Sequence, residues 1–470
     1  MTQQSALLFT GHLPDLPDRN APRLPEGLVP LMRLQFRTFL NARRPCPVYL
    51  SLAAGADLVF ATEALEAGYE IHAVLPCPRE QFLRFSVWPY EENAFYSRMF
   101  DKVLLKAADC TELIWENPDS MPDFRRCNQL LMEAGKAENP SPQAVVFLEK
   151  DSASIIGGSQ DFVQQLLREG FSIQNLYPDF PADENAAETD YAALMPISGE
   201  FEKLDADAVF FQKKWKSGIK LSLTFFALVI VLSAFDSVGE QVFGGWAAHI
   251  KNMAVAAALL AAVLEIMLNP RKGSGRSEWI TNRARAEKLR QEFWLFLFTS
   301  ESEDSTGLRD NLMLCRAKAA LSMLKIQQQL ELYHQWRVQD QLKYFNRKVQ
   351  QLHLELKKTR MLQRSLLTAG IGYGLVRLIT GIIGLEKLSW LEEINLLACL
   401  AGVAVVLGNY QESVNTEDLY FQYREMAKRL QEWEEKNLQS CTSFPALETA
   451  VKDAENLLAA QNNEWSIRLS

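Results

Sequence analysis

Four apolar stretches in the second half of the chain, Ile219–Phe235, Met253–Leu268, Leu366–Leu385 and Ile394–Gly408, fall into two close pairs. That grouping restricts the available folds more than any other feature. A helix crossing a hydrocarbon core needs about 20 apolar residues, with about 17 tolerated. The first and third stretches meet that length, and tilt or local thinning accommodates the shorter second and fourth. The spacing predicts two transmembrane hairpins. Core helices of a soluble bundle are the alternative, and the paired arrangement weighs against them.

The flanking charges orient the hairpins. Lys213, Lys214, Lys216 and Lys220 precede the first stretch, and Arg271, Lys272 and Arg276 follow the second. Lys357, Lys358, Arg360 and Arg364 precede the third, and Arg424, Lys428 and Arg429 lie beyond the fourth. The turns at 236–246 and 386–393 contain a single lysine, Lys387, and several acids. Basic flanks stay on the cytoplasmic side, so both chain ends are expected there, in a multi-pass protein of the bacterial inner membrane. The start, MTQQSALLF, has neither the basic region nor the apolar run of a signal peptide.

At 470 residues the chain has room for two or three domains. Its net charge of −9 gives no general attraction to nucleic acid, and direct nucleic-acid binding is not expected. Seven scattered cysteines show no C-x-x-C spacing and the five histidines are dispersed, so neither a disulfide framework nor a metal site is indicated.

The first 180 residues alternate short apolar runs with amphipathic helical stretches, the pattern of a parallel sheet covered on both faces. Strands are expected at Ala6–Thr10, Val48–Ser51, Ile71–Leu75, Thr111–Ile114, Ala144–Leu148 and Ser172–Gln174. Helices are expected at Leu28–Asn41, Ala56–Ala67, Tyr90–Lys106, Pro122–Ala137 and Gln160–Arg168. The domain plan is an α/β Rossmann-like unit at 1–180, an acidic linker at 181–207, a first membrane hairpin at 208–300 and a second at 301–470. The helical half is expected to be all-α, four spans with cytoplasmic amphipathic helices. The helical period Leu321, Leu324, Gln328, Leu332 and Tyr333, then Leu342, Phe345, Val349 and Leu352, suggests helix-on-helix packing running into the third stretch, and a homo-oligomer.

In an open α/β sheet, ligands sit beyond the carboxyl ends of the strands. The residues there are Thr10, Gly11 and His12, then Gly55, Ala56 and Asp57 opening a helix. Pro76 and Arg79 follow the third strand, and Gly157, Gly158 and Ser159 open a later helix. Glycine turns at helix N-termini suit an anion, because free N–H groups and the helix dipole point outward. Cys77 between two prolines reads as a packed thiol rather than a nucleophile. In the third apolar stretch, Arg377 is a charge at membrane depth and hence a functional candidate. Gly370, Gly372, Gly374, Gly381 and Gly384 would let another helix approach closely.

FTGHLPD, SLAAGADLVFATEAL, YEIHAVLPCPREQF and IIGGSQDFV resemble the SLOG superfamily, which joins DNA-processing DprA/Smf domains to the LOG nucleotide hydrolases. In bacterial conflict systems such domains are fused to two-helix membrane modules called SLATT, and the rest of the chain is similar to two of these in tandem. The resemblance implies a receptor for a nucleotide-derived signal, a cyclic nucleotide or an ADP-ribose relative, with Gly11 and His12 near base or ribose. It places Gly55 and Asp57 at the first turn and Gly157, Gly158 and Ser159 around phosphate. It implies a pore-forming effector of antiviral defence by abortive infection. The chain departs from the family at Leu13, where an arginine is usual, and it lacks P-G-G-x-G-T-x-x-E. No catalytic residue and no bound cofactor are therefore expected, since hydrolysis needs an aimed base. A membrane-anchored nucleotide phosphoribohydrolase is the alternative.

Overall fold

The computed structural model describes residues 6–16, 22–90, 94–115, 121–138, 143–149, 157–179, 199–234, 275–300, 306–383, 396–413 and 415–469, with a few positions between 246 and 260. Chain contacts divide it into two units. The first comprises Met1–Leu194, Phe293–Tyr333 and Ser440–Lys452; the second comprises Met195–Glu292, His334–Gln439 and Asp453–Ser470.

The first unit is organised by six strands: β1 (Leu7–Gly11), β2 (Pro47–Leu50), β3 (Glu70–Leu75), β4 (Asp109–Glu112), β5 (Gln143–Phe147) and β6 (Ser172–Asn175). Every pairing is parallel and the order is β4-β3-β2-β1-β5-β6. The central strands are continuous apolar runs, as a sheet buried on both faces demands. β1 is buried at every position and β5 at all but its first. The chain builds outward from β1 to β4, then crosses to the far side of β1 to lay down β5. That reversal makes the crevice beyond β1 and β5 the topological switch point.

Helices α1 (Val29–Asn41), α2 (Ala56–Glu66), α3 (Arg79–Ser86), α4 (Phe95–Lys106), α5 (Phe124–Glu138) and α6 (Ser159–Arg168) complete the layers. α2 is buried from Ala56 through Ala64 because α1, α4 and the sheet enclose it. Its Phe60 stacks on Phe9 with ring centroids 3.9 Å apart, and Phe36 meets both rings edge-on. On the other side Leu8, Cys127, Leu131, Phe162 and Leu166 form one cluster. All six expected strands are present. β4 begins two residues early, and α3, not foreseen from the sequence, fills the segment before α4.

Later segments of the same unit run from Phe293 to Tyr333 and include two helices, Leu312–Ser322 and Ile326–Tyr333. Leu312–Ser322 packs on α1 and on the turn Glu26–Leu28. Trp294, Phe298 and Tyr333 form an aromatic cluster beside it, with Phe298 and Tyr333 centroids 5.3 Å apart.

The second unit is helical. Glu200–Ala234 runs for 35 residues, and α7 (Gly275–Phe298) supplies its first eighteen residues here. A π-turn at His334–Val338 leads into α8 (Gln339–Ile383), a helix of 45 residues. Leu396–Ser413 and Thr416–Asn437 pack along α8, and Leu396–Ser413 also packs on Glu200–Ala234. Phe444–Leu469 ends the chain. Ala208, Trp215 and Trp279 form a core in which the two indoles stack at 5.5 Å.

α8 does run unbroken through the described part of the third apolar stretch. Among the described residues, however, no helix is long and apolar enough to cross a membrane. Most of Met253–Leu268, the start of Ile394–Gly408, both hairpin turns and most of the 181–207 segment lie outside the described residues.

Candidate functional site

The switch point gathers most of the residues picked out along the sequence. β1 ends at Gly11, where an added Cβ would collide with the Cβ of Ala56. Only glycine lets α2 open so close to the strand. Gly55 takes φ +87° and ψ −127°, a conformation open essentially to glycine. A Cβ there would also lie 2.7 Å from the His12 carbonyl and 2.9 Å from Leu24 Cδ2. The turn therefore exists because positions 11 and 55 lack side chains.

Asp57 lies in the first turn of α2 and is 6% exposed. Its Oδ1 accepts from the Gly11 N–H at 3.1 Å and its Oδ2 from the Ser51 hydroxyl at 3.3 Å. Burial pushes its carboxyl up to about 7, against these hydrogen bonds, which favour the ionised form. Asp57 thus clamps the ends of β1 and β2 and presents no oxygen outward. Its role in this geometry is to hold the loop.

His12 is buried, and its Nε2 accepts from the Glu149 N–H at 2.9 Å. That contact leaves the ring proton on Nδ1. The His12 N–H donates to the Phe147 carbonyl at 3.1 Å, so backbone and side chain together tie the end of β1 to the end of β5. The Ser159 hydroxyl donates to the Gly11 carbonyl at 2.7 Å, and the Gly157 N–H donates to Asp161 Oδ2 at 2.8 Å. Gly158 caps α6. Thr10, Gly11, His12, Gly55, Ala56, Asp57, Gly157, Gly158 and Ser159 converge here. Pro76 and Arg79 follow β3, two strands away from β1 in the sheet. Arg79 pairs through Nη2 with Asp101 at 2.6 Å, and its N–H donates to Glu112 at 3.0 Å. Burial, with the nearby Glu112 charge adding to it, pushes the Cys77 thiol up to about 11, so it carries no thiolate near neutrality.

Three further residues of this edge escaped sequence reasoning. Asn175 bonds both the N–H and the carbonyl of Leu148, at 3.3 and 2.7 Å. Tyr177 places its ring edge-on to His12, 5.8 Å between centroids, and donates its hydroxyl to the Arg23 carbonyl at 2.7 Å. Asp15 accepts from the N–H groups of Arg23 and Leu24 at 2.6 and 2.8 Å. A polar residue at or just past the end of a strand is their only local signal.

The helical unit is different in kind. Leu367, Ile371, Leu375, Val376, Leu378, Ile379 and Ile382 of α8 are each at least half exposed. Arg377 is exposed within this belt. An added Cβ at Gly372 or Gly374 would meet nothing within 4 Å, so among the described residues no helix uses that face. Deeper in the unit, Arg337 holds Glu455 through two bonds of 2.7 and 2.8 Å, with side-chain exposures of 3% and 0%.

Residues 333–465 match the family model described as SMODS and SLOG-associating 2TM effector domain 1. The match covers the π-turn, the whole of α8 and the helices after it. It supports an effector domain of two-transmembrane type in this part of the chain. No curated protein matches the chain.

Proposed function

We propose that the chain is a membrane-acting effector whose helical unit enters or disrupts a bilayer when the parallel-sheet unit binds a nucleotide-derived signal. The observation that carries the first half is the similarity of 333–465 to a 2TM effector domain, in a segment where α8 leaves an apolar belt from Leu367 to Ile382 uncovered. Contiguous exposed apolar surface of this kind marks a contact with lipid or protein. The hairpin topology, the inner membrane, the homo-oligomer, the SLOG-like character of 1–180 and a role in antiviral defence belong to the same proposal.

The second half rests on the switch-point edge. A ligand there competes for groups now spent on one another, above all the Glu149 N–H held by His12 and the Gly157 N–H held by Asp161. Binding then loosens the tie between β1 and β5, and a ligand that prefers the loosened state shifts the population. Turnover is disfavoured because Asp57 is sequestered and His12 Nε2 is occupied.

The test expresses the full chain in bacteria with cyclic oligonucleotides or ADP-ribose isomers supplied, and follows a potential-sensitive dye. Depolarisation that depends on the ligand is expected. Leu375→Lys combined with Ile379→Lys should abolish it and shift the protein out of the membrane fraction. Ligand binding with an unchanged membrane potential would remove the effector half, and wild-type behaviour of the double variant would remove the belt from the mechanism.

A further inference from the structure

The helical unit contains a cavity of about 290 Å³ lined by five of its helices and open to solvent on one side. We infer that this cavity is a second ligand site, independent of the sheet edge, and that it takes a single planar heteroaromatic ring system carrying an anionic group, of the nucleoside monophosphate class. Its size is at the lower limit for ligand pockets, which run from about 300 to 1,000 Å³. One ring system fits, and a dinucleotide does not.

The walls specify the chemistry. Trp279, Phe345 and Tyr423 supply flat apolar faces. The four charged residues of the lining are unequal. Arg283 is committed to Asp205 at 2.9 Å and to Glu287 at 2.6 Å, and Glu287 is shared with Arg290 at 3.1 Å. Those charges hold the wall and are not free for a guest. Lys348 lies over the Tyr344 ring at 5.7 Å, and among the described residues no carboxylate pairs with it. It is the cation left for an anion. Gln341 is 7% exposed, lines the cavity, and among the described residues its amide has no hydrogen-bond partner. Its amide atoms reach the cavity and are open to a guest. One donor and one acceptor side by side match the edge of a nucleobase, and the aromatic walls match its faces.

The test uses the full-length protein in detergent micelles, with AMP, GMP, CMP and UMP as probes and adenosine and inorganic phosphate as fragments, read by equilibrium dialysis. At least one monophosphate should bind saturably and more tightly than either fragment. Gln341→Leu should weaken it tenfold or more while melting close to the wild-type temperature. Lys348→Met should erase the preference for monophosphate over nucleoside. Ser159→Ala, on the sheet edge, should leave this binding unchanged, which separates the outcome from that of the proposed sensor. Absence of saturable binding would overturn the inference, as would undiminished binding in both cavity variants, or loss of binding in Ser159→Ala instead.

Discussion

The sheet edge and the helical unit treat polar and apolar groups in opposite ways. At the edge, Asp57, His12 and Ser159 are spent on nearby backbone: Asp57 on Gly11, His12 on Glu149, Ser159 on Gly11. In the helical unit, charges are buried against one another across the bundle, while apolar side chains of α8 are left facing outward. An edge built of short, mutually satisfied bonds responds to a ligand by exchanging one partner for another. A bundle with an uncovered apolar belt responds to its medium. On the proposed function, recognition falls to the first and membrane action to the second.

Three further measurements would break or sharpen that contrast, after the all-or-none effect expected of the Leu375 and Ile379 pair. Glu455→Gln strands the Arg337 guanidinium in the bundle, and breaking a buried pair of this kind costs about 3–5 kcal/mol. Urea denaturation should show that loss, and pairing Glu455→Leu with Arg337→Met should restore most of it. A cost below 1 kcal/mol would mean that the bundle is not held by buried charge.

Asp57 gives the edge a distinct pH signature. Its folded carboxyl, at about 7, is raised above its ordinary value of 3.8, so the folded state binds the proton more tightly. That contribution is fully present below the unfolded value and is lost as pH rises from about 4 towards 7, at up to about 1.4 kcal/mol per pH unit. Asp57→Asn should flatten the fall across that window. Melting curves at several pH values would show whether it does; an identical slope in both proteins would exclude Asp57 as the source.

Gly55→Ala should cost about 2 kcal/mol, from a backbone conformation alanine resists and from contact with the His12 carbonyl. The loss should appear as a lower denaturation midpoint with the helical content intact. No measurable loss would mean that the turn can be rebuilt without glycine.

The sheet was legible because buried parallel strands read as uninterrupted apolar runs, as in LLFTG and QAVVF. β4 was misplaced by two residues because none of its four residues is fully buried, leaving little pattern to read. α3 went unseen because REQFLRFS buries only Phe82 and Ser86. At the edge, Gly55 announced itself through its turn, but no local pattern links His12 to Glu149, 137 positions away. The Arg337–Glu455 bond spans 118 positions and was equally silent. By contrast, Arg283, Glu287 and Arg290 stand at i, i+4 and i+7 and could have been found by charge spacing alone.

The docking of Leu312–Ser322 on α1 bears on biosynthesis. Gly27 approaches Ser322 so closely that a methyl group there would strike its side chain. The partner for that surface is translated almost three hundred codons later. Domains fold as the nascent chain emerges, at about 5–20 residues per second, so this patch stays uncovered for roughly fifteen seconds or more before its cover arrives. Completion of the amino-terminal body is thereby postponed until the first apolar stretch has already left the ribosome.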